Sequence, residues 1–387
     1  MKRSGNLYDK ILDMGNLRLA FWKAQRSKAD RTEVIKFRRS LNRNLRSLQR
    51  ELVHEDVVVG SFHRFYIRDK KLRLICAASF RERVLHHAIM NVCHDSFERF
   101  QVFDSYASRR GKGTVAAIER ARKFTQTGGY FLKMDVRKYF DSIRHEMVRR
   151  LLERRFKDQR LLNLFGRIID SYKTQPGRGL PIGSLISQYL ANHVLAVLDH
   201  RVKEIWRVRR YVRYMDDMIV WSGDRRRLRA IYRKTRQFLD NQLGLELKPA
   251  NINRTDRGVP FLGYVAFPDK ITLSKQSRNR YRRKLSTACY QLRRGSWTQE
   301  MFAQRVTSLI AFTNHTSKPI EIWRKENQGI GQQEWLEPRL SRRQLEQQSR
   351  QLSIGESQQE RTGQPEQQLG LSRCSPSSSE EPTDVEL

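Results

Sequence analysis

The segment that decides the fold is Tyr211-Val212-Arg213-Tyr214-Met215-Asp216-Asp217-Met218-Ile219-Val220-Trp221. Runs rich in aromatic and β-branched residues flank Asp216-Asp217, and this pattern predicts a β-hairpin with both carboxylates at its turn. Adjacent carboxylates repel each other, so the arrangement is costly unless a cation lies beside them. Taken alone, the segment is also compatible with an ordinary Asp-rich β-turn.

A third carboxylate, Asp135, ends another apolar run that begins at Tyr130. If the two strands are neighbours in a sheet, their carboxylates converge at one exposed edge. Carboxylate oxygens are ligands that Mg²⁺ prefers. Two such ions, roughly 4 Å apart, clamp the attacking and leaving oxygens in phosphoryl transfer. The three Asp residues therefore predict a two-metal centre for this chemistry.

Strand and helix periodicities alternate around these residues. We predict paired strands over residues 62–80, a helix over 81–100 and a strand ending at Asp135. A helix capped by Asp141-Ser142 should run to about Phe156, and a Gly/Pro-rich loop at Gly177–Gly183 should open a long helix. An amphipathic helix through Leu228 and Leu239 and a final strand at Phe261–Val265 complete the prediction. This order predicts an α+β fold with helices on one face of an antiparallel sheet. Basic helical segments are predicted on either side, over residues 1–52 and 274–314.

The charge of the chain is strongly positive and unevenly distributed. The 387 residues carry a net charge of +35. Residues 326–387 hold 11 acidic and 6 basic residues, a net of −5, so the remainder carries +40. A surface this basic predicts a nucleic-acid partner, although a supercharged soluble surface or a ribosomal type of protein is the alternative. The Gln-rich and Ser-rich composition of residues 326–387 predicts disorder.

Cysteine spacing and hydropathy argue against several classes of protein. The four cysteines form no C-x-x-C pair, so neither a zinc cluster nor a disulfide framework is indicated. No apolar run approaches the roughly 18 residues that a membrane span needs, and the N-terminus has no signal-peptide core. We expect a cytoplasmic protein, encoded by a prokaryote or a phage, with no membrane partner.

The order of motifs resembles that of the reverse transcriptases. Motif A is matched by Met134-Asp135-Val136-Arg137-Lys138-Tyr139-Phe140-Asp141, motif B by Gly179-Leu180-Pro181-Ile182-Gly183-Ser184-Leu185-Ile186-Ser187-Gln188, motif C by Tyr214-Met215-Asp216-Asp217, motif D by Gly244-Leu245-Glu246-Leu247-Lys248, the primer-grip motif E by Phe261-Leu262-Gly263-Tyr264, and the fingers motifs by Lys71-Leu72-Arg73-Leu74-Ile75 and Ser79-Phe80-Arg81-Glu82. The resemblance implies a right-hand polymerase architecture. Its parts are a basic N-terminal helical extension (1–55), a fingers-palm domain (56–268), a helical thumb (269–325) and the tail (326–387).

The resemblance also implies a role for individual residues. Asp135, Asp216 and Asp217, with the backbone carbonyl of Val136, would hold two Mg²⁺ ions, for which Mn²⁺ can substitute. Lys248 would act near the leaving pyrophosphate. The remaining implied contacts are with the incoming dNTP, through Lys71, Arg73, Phe140, Gly183 and Gln188, and with the primer, through Phe261, Leu262, Gly263 and Tyr264. Solvated strand positions for Lys71 and Arg73, a core position for Phe140 and an exposed helix end for Lys248 are the alternatives.

Motif B departs from the general family pattern of Gln-Gly followed by Ser-Pro. Ile182-Gly183 and Ser187-Gln188 stand there instead, which resembles the reverse transcriptases of diversity-generating retroelements. That resemblance implies copying of a template-repeat RNA into cDNA with errors at template adenines, so that Ile182 and Gln188 form a fidelity loop. It also implies binding of a small accessory variability determinant protein.

Three other interpretations remain open at this point. The chain could be another prokaryotic reverse transcriptase, of the group II intron, retron or CRISPR-associated type, without adenine-specific mutagenesis. It could be an RNA-binding protein that has lost catalysis, although all three Asp residues are present. A basic scaffold protein is the third, although it would not need the motif A and motif C carboxylates.

Overall fold

A computed structural model describes residues 3–68 and 72–316 of the chain. Lys71 and the predicted tail lie outside the described residues. The α-helices are α1 (Tyr8–Leu12), α2 (Met14–Gln25), α3 (Thr32–Arg39), α4 (Leu41–Val53), α5 (Phe80–Glu98), α6 (Thr114–Thr125), α7 (Tyr139–Ser142), α8 (His145–Arg155), α9 (Gln159–Asp170), α10 (Leu185–His200), α11 (Arg225–Phe238), α12 (Lys275–Arg293) and α13 (Gln299–Thr313). The strands are β1 (Phe62–Arg68), β2 (Leu72–Ala78), β3 (Tyr130–Asp135), β4 (Tyr211–Tyr214), β5 (Asp217–Ser222), β6 (Ile252–Arg254), β7 (Val259–Phe261), β8 (Tyr264–Ala266) and β9 (Ile271–Leu273).

The central sheet has the order β4-β5-β3-β6, and every pair in it is antiparallel. Strands β4 and β5 form the hairpin that was predicted for residues 211–221. Strand β3 inserts beside β5 although about 80 residues separate them in the chain. The predicted α+β class with antiparallel pairing is confirmed. Two smaller antiparallel sheets accompany this one: β1-β2 and β7-β8-β9.

Both faces of the central sheet are buried, because successive side chains of a strand point to opposite sides. Leu132 of β3 and Val220 of β5 face the larger core, which also contains apolar residues of α5, α10 and α11. Phe131 and Trp221 face a second core, shared with α6 and the β7-β8-β9 sheet. Helices cover one face as predicted, and the small sheet with α6 adds cover on the other face that the sequence did not reveal.

The predicted helix cap at Asp141-Ser142 is wrong. These residues form the end of the one-turn helix α7, and Ile143 then adopts an extended conformation before α8 begins. The break is stabilised by the Gly/Pro-rich loop, whose Leu180 and Gly179 N–H groups donate to the carbonyls of Phe140 and Ile143 at 2.9 Å. Those two carbonyls bond to the loop, which the local pattern could not show.

The predicted final strand at Phe261–Val265 is also wrong in detail, because the chain reverses within it. Leu262 and Gly263 have φ values of +50° and +88° and connect β7 to β8 as a tight turn. Two consecutive residues with positive φ are typical of the type I′ hairpin turn. A single apolar run therefore becomes two strands of the small sheet.

Helices also form before and after the sheet, as predicted. Helices α1 to α4 lie within the predicted segment 1–52, apart from the last residue of α4, Val53. Helices α12 and α13 pack on each other through a small core that includes Leu285 and Phe302. Among the described residues, no helix is long and apolar enough to cross a membrane.

Candidate active site

Three carboxylates meet where strands β3 and β5 leave the central sheet. Asp135 is the last residue of β3, Asp217 is the first of β5, and the two are direct partners in the antiparallel register. Directly opposed residues of antiparallel strands have their side chains on the same face, about 5 Å apart at Cβ. Asp216 lies beside them in the turn between Tyr214 and Asp217, where Met215 has a φ of +55°.

Two lysines form ion pairs with this cluster. The Nζ atom of Lys133, from β3, lies 3.1 Å from Oδ1 of Asp217. The Nζ atom of Lys248 donates to Oδ1 of Asp135 at 2.6 Å. Three acids against these two ammonium groups leave a surplus of negative charge.

Lys248 reaches the site because its backbone continues the sheet. The Val136 and Leu247 backbones form an antiparallel bridge, and the Lys248 N–H donates to the Asp135 carbonyl at 3.0 Å. The Val136 side chain is buried, so only its main chain can serve a ligand. An exposed helix end, the alternative for Lys248, does not describe its position.

The protein environment disfavours negative charge at the turn. Burial raises the pKa of Asp216 to about 6, and the charges of Asp135 and Asp217 add to this shift. Burial also raises the pKa of Asp217, while Lys133 acts in the opposite direction. Buried, crowded carboxylates of this kind are stabilised by a bound cation.

The three carboxylates have the ligand atoms that a hard divalent cation such as Mg²⁺ prefers. All three side chains offer carboxylate oxygens, and the buried Oδ1 atom of Asp217 faces the Lys133 ammonium at 3.1 Å. Across the described ranges, no three acidic, His or Cys side chains are already gathered into an ion-binding group. Asp135, Asp216 and Asp217 are the side chains that would supply carboxylate ligands to such a cation.

A buried ion pair that was not predicted from the sequence supports the turn between β4 and β5. The Arg213 guanidinium donates to both oxygens of Asp199 at distances of 2.6–2.9 Å, and neither side chain is exposed. Tyr211 donates its hydroxyl to the same carboxylate at 2.7 Å. Burial alone would lower the pKa of Arg213, and Asp199 more than offsets that effect, so the guanidinium stays charged.

Arg213 also holds the turn itself. Its Nη1 atom donates to the carbonyl of Met215 at 3.0 Å and to Oδ1 of Asn192 at 2.7 Å. The signal in the sequence was an arginine within a strand whose neighbours are all apolar or aromatic, because a buried charge of this kind requires a buried partner.

The main chain of motif A is fixed against the helical side of the fold. Lys138 has a φ of +45°, and Tyr139 is buried with its hydroxyl donating to the Ala191 carbonyl at 2.5 Å. Phe140 is half-buried and packs against the larger core. This partial burial fits both a core position and a position facing the nucleotide, because the ring contacts the core and is still partly accessible.

The motif B loop packs against strand β2. The Cys76 N–H donates to the Ile182 carbonyl at 2.8 Å. Gly183 has a φ of +109°, and a Cβ atom there would come within 2.9 Å of the Ile75 side chain. The amide oxygen of Gln188 accepts a hydrogen bond from the Ser108 hydroxyl at 3.0 Å. Arg73 lies in the exposed half of β2.

The motif E residues divide into two groups. The Phe261 and Tyr264 side chains are buried in the second core, and the Tyr264 hydroxyl donates to the Phe312 carbonyl of α13 at 2.9 Å. Leu262 and Gly263, at the turn, are half-exposed. Only the turn can therefore contact a ligand, and the two aromatic side chains hold it in place.

Several known proteins are similar to this chain. A family model described as "Reverse transcriptase (RNA-dependent DNA polymerase)" matches residues 67–266, about half of the chain. The putative COX1/OXI3 intron 1 protein of Saccharomyces cerevisiae is 25% identical over 140 residues, which cover 34% of this chain and 17% of the yeast protein. Protein YkfC of Escherichia coli is 23% identical over 271 residues, covering 56% of this chain and 71% of YkfC. A structure of telomerase from Candida tropicalis with a fragment of telomeric RNA aligns with a TM-score of 0.44 and 11% identity, over 69% of this chain and 56% of that one.

Proposed function

This chain belongs to the reverse transcriptase (RNA-dependent DNA polymerase) family, and on that basis we propose that it is an RNA-directed DNA polymerase. The observation that supports this most directly is the register of β3 against β5. It brings Asp135 opposite Asp217, with Asp216 in the adjoining turn. Template RNA, a DNA primer that becomes the cDNA, and dNTPs are the partners this activity requires.

Asp135, Asp216, Asp217 and the Val136 carbonyl would hold two Mg²⁺ ions, with Mn²⁺ as a substitute. When bound, these ions supply positive charge to the attacking and leaving oxygens of phosphoryl transfer. The Lys248 ammonium forms an ion pair with Asp135 in the structure. During the reaction it would turn to the leaving pyrophosphate and donate a proton or a hydrogen bond to it.

The incoming nucleotide would lie between motif A, motif B and β2. Phe140 would exclude a ribose 2′-hydroxyl with the accessible part of its ring. Arg73, together with Lys71, would bind the triphosphate from β2, and Gly183 and Gln188 would line the same space. The bond between the Cys76 N–H and the Ile182 carbonyl supports this arrangement, because it joins the motif B loop to β2.

The remaining parts would hold the nucleic acid. We assign residues 56–268 to the fingers and palm, 269–325 to the thumb and 1–55 to a basic extension. The exposed turn at Leu262-Gly263 would press on the primer. The hydrogen bond between Tyr264 and the Phe312 carbonyl would couple that turn to the thumb.

Primer extension by the purified full-length chain tests the proposal. We expect Mg²⁺-dependent addition of dNTPs to a DNA primer on an RNA template, abolished by chelation. Asp135→Asn should lack this activity, whereas Asp256→Asn, which changes a surface residue paired with Arg254, should retain it. Incorporation that does not depend on the RNA template would overturn the assignment.

The finer proposal is a polymerase of a diversity-generating retroelement. It would copy a template-repeat RNA with errors at adenines and bind an accessory variability determinant. The support is Ile182-Gly183 and Ser187-Gln188 in motif B. An Ile side chain at the loop cannot hydrogen-bond to a nascent base pair, so a check that a polar side chain would supply is lost.

Sequencing of cDNA copied from a defined RNA tests this finer proposal. Errors should concentrate at template adenines. Ile182→Gln restores a polar contact of about 1–3 kcal/mol, which would lower the error frequency roughly 5- to 150-fold at most. Errors spread evenly over the four template bases would contradict the retroelement assignment and leave the polymerase assignment standing.

A second candidate is a prokaryotic reverse transcriptase of the group II intron, retron or CRISPR-associated type. The similarity to a yeast intron protein favours the intron type. Even error distribution in the same sequencing experiment is the result that this candidate predicts.

A further inference from the structure

Helix α11 carries an unusual concentration of positive charge. Its 14 residues include six arginines and one lysine and no acidic residue. All seven of these cations are exposed. Apolar residues such as Leu228 and Ile231 point the other way into the core, so the helix is amphipathic, and every charged residue on its outer face is a cation.

This charge pattern destabilises the helix. Arg225, Arg229 and Arg233 follow one another at four-residue spacing, where like charges repel. Arg225, Arg226 and Arg227 occupy the first turn, where the helix dipole favours negative charge. Asp224 is the carboxylate at that end, and both of its oxygens accept backbone N–H groups as the helix cap.

The arginines of α11 have no acidic partners within residues 3–68 and 72–316. Some arginines elsewhere do have them, as in the pairs Arg109–Glu98 and Arg160–Glu55. Arg225 instead lies over the Tyr130 ring at 5.4 Å. A pattern that is unfavourable for the helix and unpaired on the surface indicates an anionic ligand.

The three arginines at four-residue spacing line one wall of a groove of about 500 Å³. Asn251 and Ile252, at the start of the edge strand β6, also line it. Strand β6 pairs only with the Tyr130–Leu132 half of β3, whereas Asp135 ends the other half. None of the proposed catalytic residues lines the groove.

We propose that this groove binds the phosphate backbone of an RNA segment outside the active site. Four residues of α-helix rise about 6 Å, a spacing comparable to that of successive phosphates along a strand. Guanidinium groups match phosphate oxygens with two parallel hydrogen bonds. The Tyr232 ring and the Asn251 amide, both in the groove, offer stacking and a hydrogen bond to a base.

The inference rests on the proposed polymerase function, because the bound strand is taken to be part of the template RNA. Holding that part away from the active site would let the enzyme distinguish its own template from other RNA. An acidic peptide is a different occupant, and the test separates the two.

The test compares two triple variants that remove the same charge from the same helix. The first, Arg225→Gln/Arg229→Gln/Arg233→Gln, alters the groove. The second, Arg226→Gln/Arg227→Gln/Arg236→Gln, alters arginines of α11 that do not line it. Binding of a structured RNA longer than the primer-template duplex is measured by titration at several salt concentrations, and thermal unfolding checks that both proteins fold.

The groove variant should bind RNA about ten-fold or more weakly, and the slope of log K against log salt should fall by about two, since each lost contact with single-stranded phosphates removes roughly 0.7. The control should change much less. Extension of a short primer-template should be equal in both variants. Equal RNA binding by the two variants, or unchanged binding by the groove variant, would overturn the inference, whereas absence of extension by the wild-type protein would overturn the proposed function instead.

Discussion

The Asp199–Arg213 pair and the carboxylate cluster at the β4–β5 turn both combine Asp carboxylates with basic side chains, but they differ in burial and in charge balance. Asp199 and Arg213 are fully buried, balance each other one to one, and have hydrogen bonds from Tyr211 and to Asn192 and Met215. In the cluster, Asp135 and Asp217 remain 39% and 27% exposed and belong to a group with more acids than ammonium groups.

This difference separates a structural role from a ligand-binding role. A buried charge must be fully paired, because an uncompensated one costs several kcal/mol. The Asp199–Arg213 pair meets that requirement and fixes the Met215 carbonyl, and with it the turn. The cluster keeps a surplus of negative charge and a raised pKa at Asp216, which are the features that a cation would relieve.

The largest expected effect is on catalysis, from Asp216→Asn. This change removes a charge that should hold a metal ion, and electrostatic stabilisation by metal ions supplies much of the barrier reduction. Primer extension on an RNA template should fall by several orders of magnitude, measured in single-turnover experiments, while the unfolding temperature stays the same or rises. Extension at the wild-type rate would show that the Asp216 carboxylate has no role in binding a catalytic metal ion.

The next effect is on stability, from Arg213→Leu. The substitution leaves the Asp199 carboxylate buried without its counter-ion, so the free energy of unfolding should fall by about 3–5 kcal/mol. Urea unfolding measures it. The double variant Arg213→Leu/Asp199→Leu should recover a large part of the loss, because no uncompensated charge remains. A double variant as unstable as the single one would show that shape, and not charge balance, is what the pair supplies.

A smaller effect is the pH dependence of stability. The ordinary pKa of the Asp216 carboxyl is 3.8, and in the folded protein it is about 6. As the pH falls from above 6 towards 4, the folded protein takes up a proton that the unfolded chain does not, so this residue's contribution to stability increases. The unfolding temperature of the wild type should therefore rise relative to that of Asp216→Asn over this window, without divalent cations. A constant difference would indicate an unperturbed carboxyl.

The smallest effect is expected for the partly exposed pair of Lys133 and Asp217. Lys133→Gln should change the free energy of unfolding by less than about 1 kcal/mol, because partly exposed ion pairs contribute little. Urea unfolding beside Arg213→Leu gives the direct contrast. A loss as large as that of Arg213→Leu would remove the distinction between the two clusters.

The sequence predicted most of what is local and little of what depends on distant contacts. The hairpin and the strand ending at Asp135 follow from apolar runs and turn residues, and their register then brings the carboxylates together. The Asp199–Arg213 pair joins helix α10 to strand β4, so neither the helical nor the strand periodicity indicates it. The break after α7 likewise depends on hydrogen bonds from Gly179 and Leu180.

The most direct test of the account is whether the carboxylate cluster binds a divalent cation. Mn²⁺ binding to the full-length protein is measured by calorimetry or electron paramagnetic resonance at pH 7.5, with wild type, Asp216→Asn and the surface control Asp256→Asn. We expect the wild type and the control to bind Mn²⁺, and Asp216→Asn to lose binding or bind much more weakly. Binding that is equal in all three proteins would contradict this expectation.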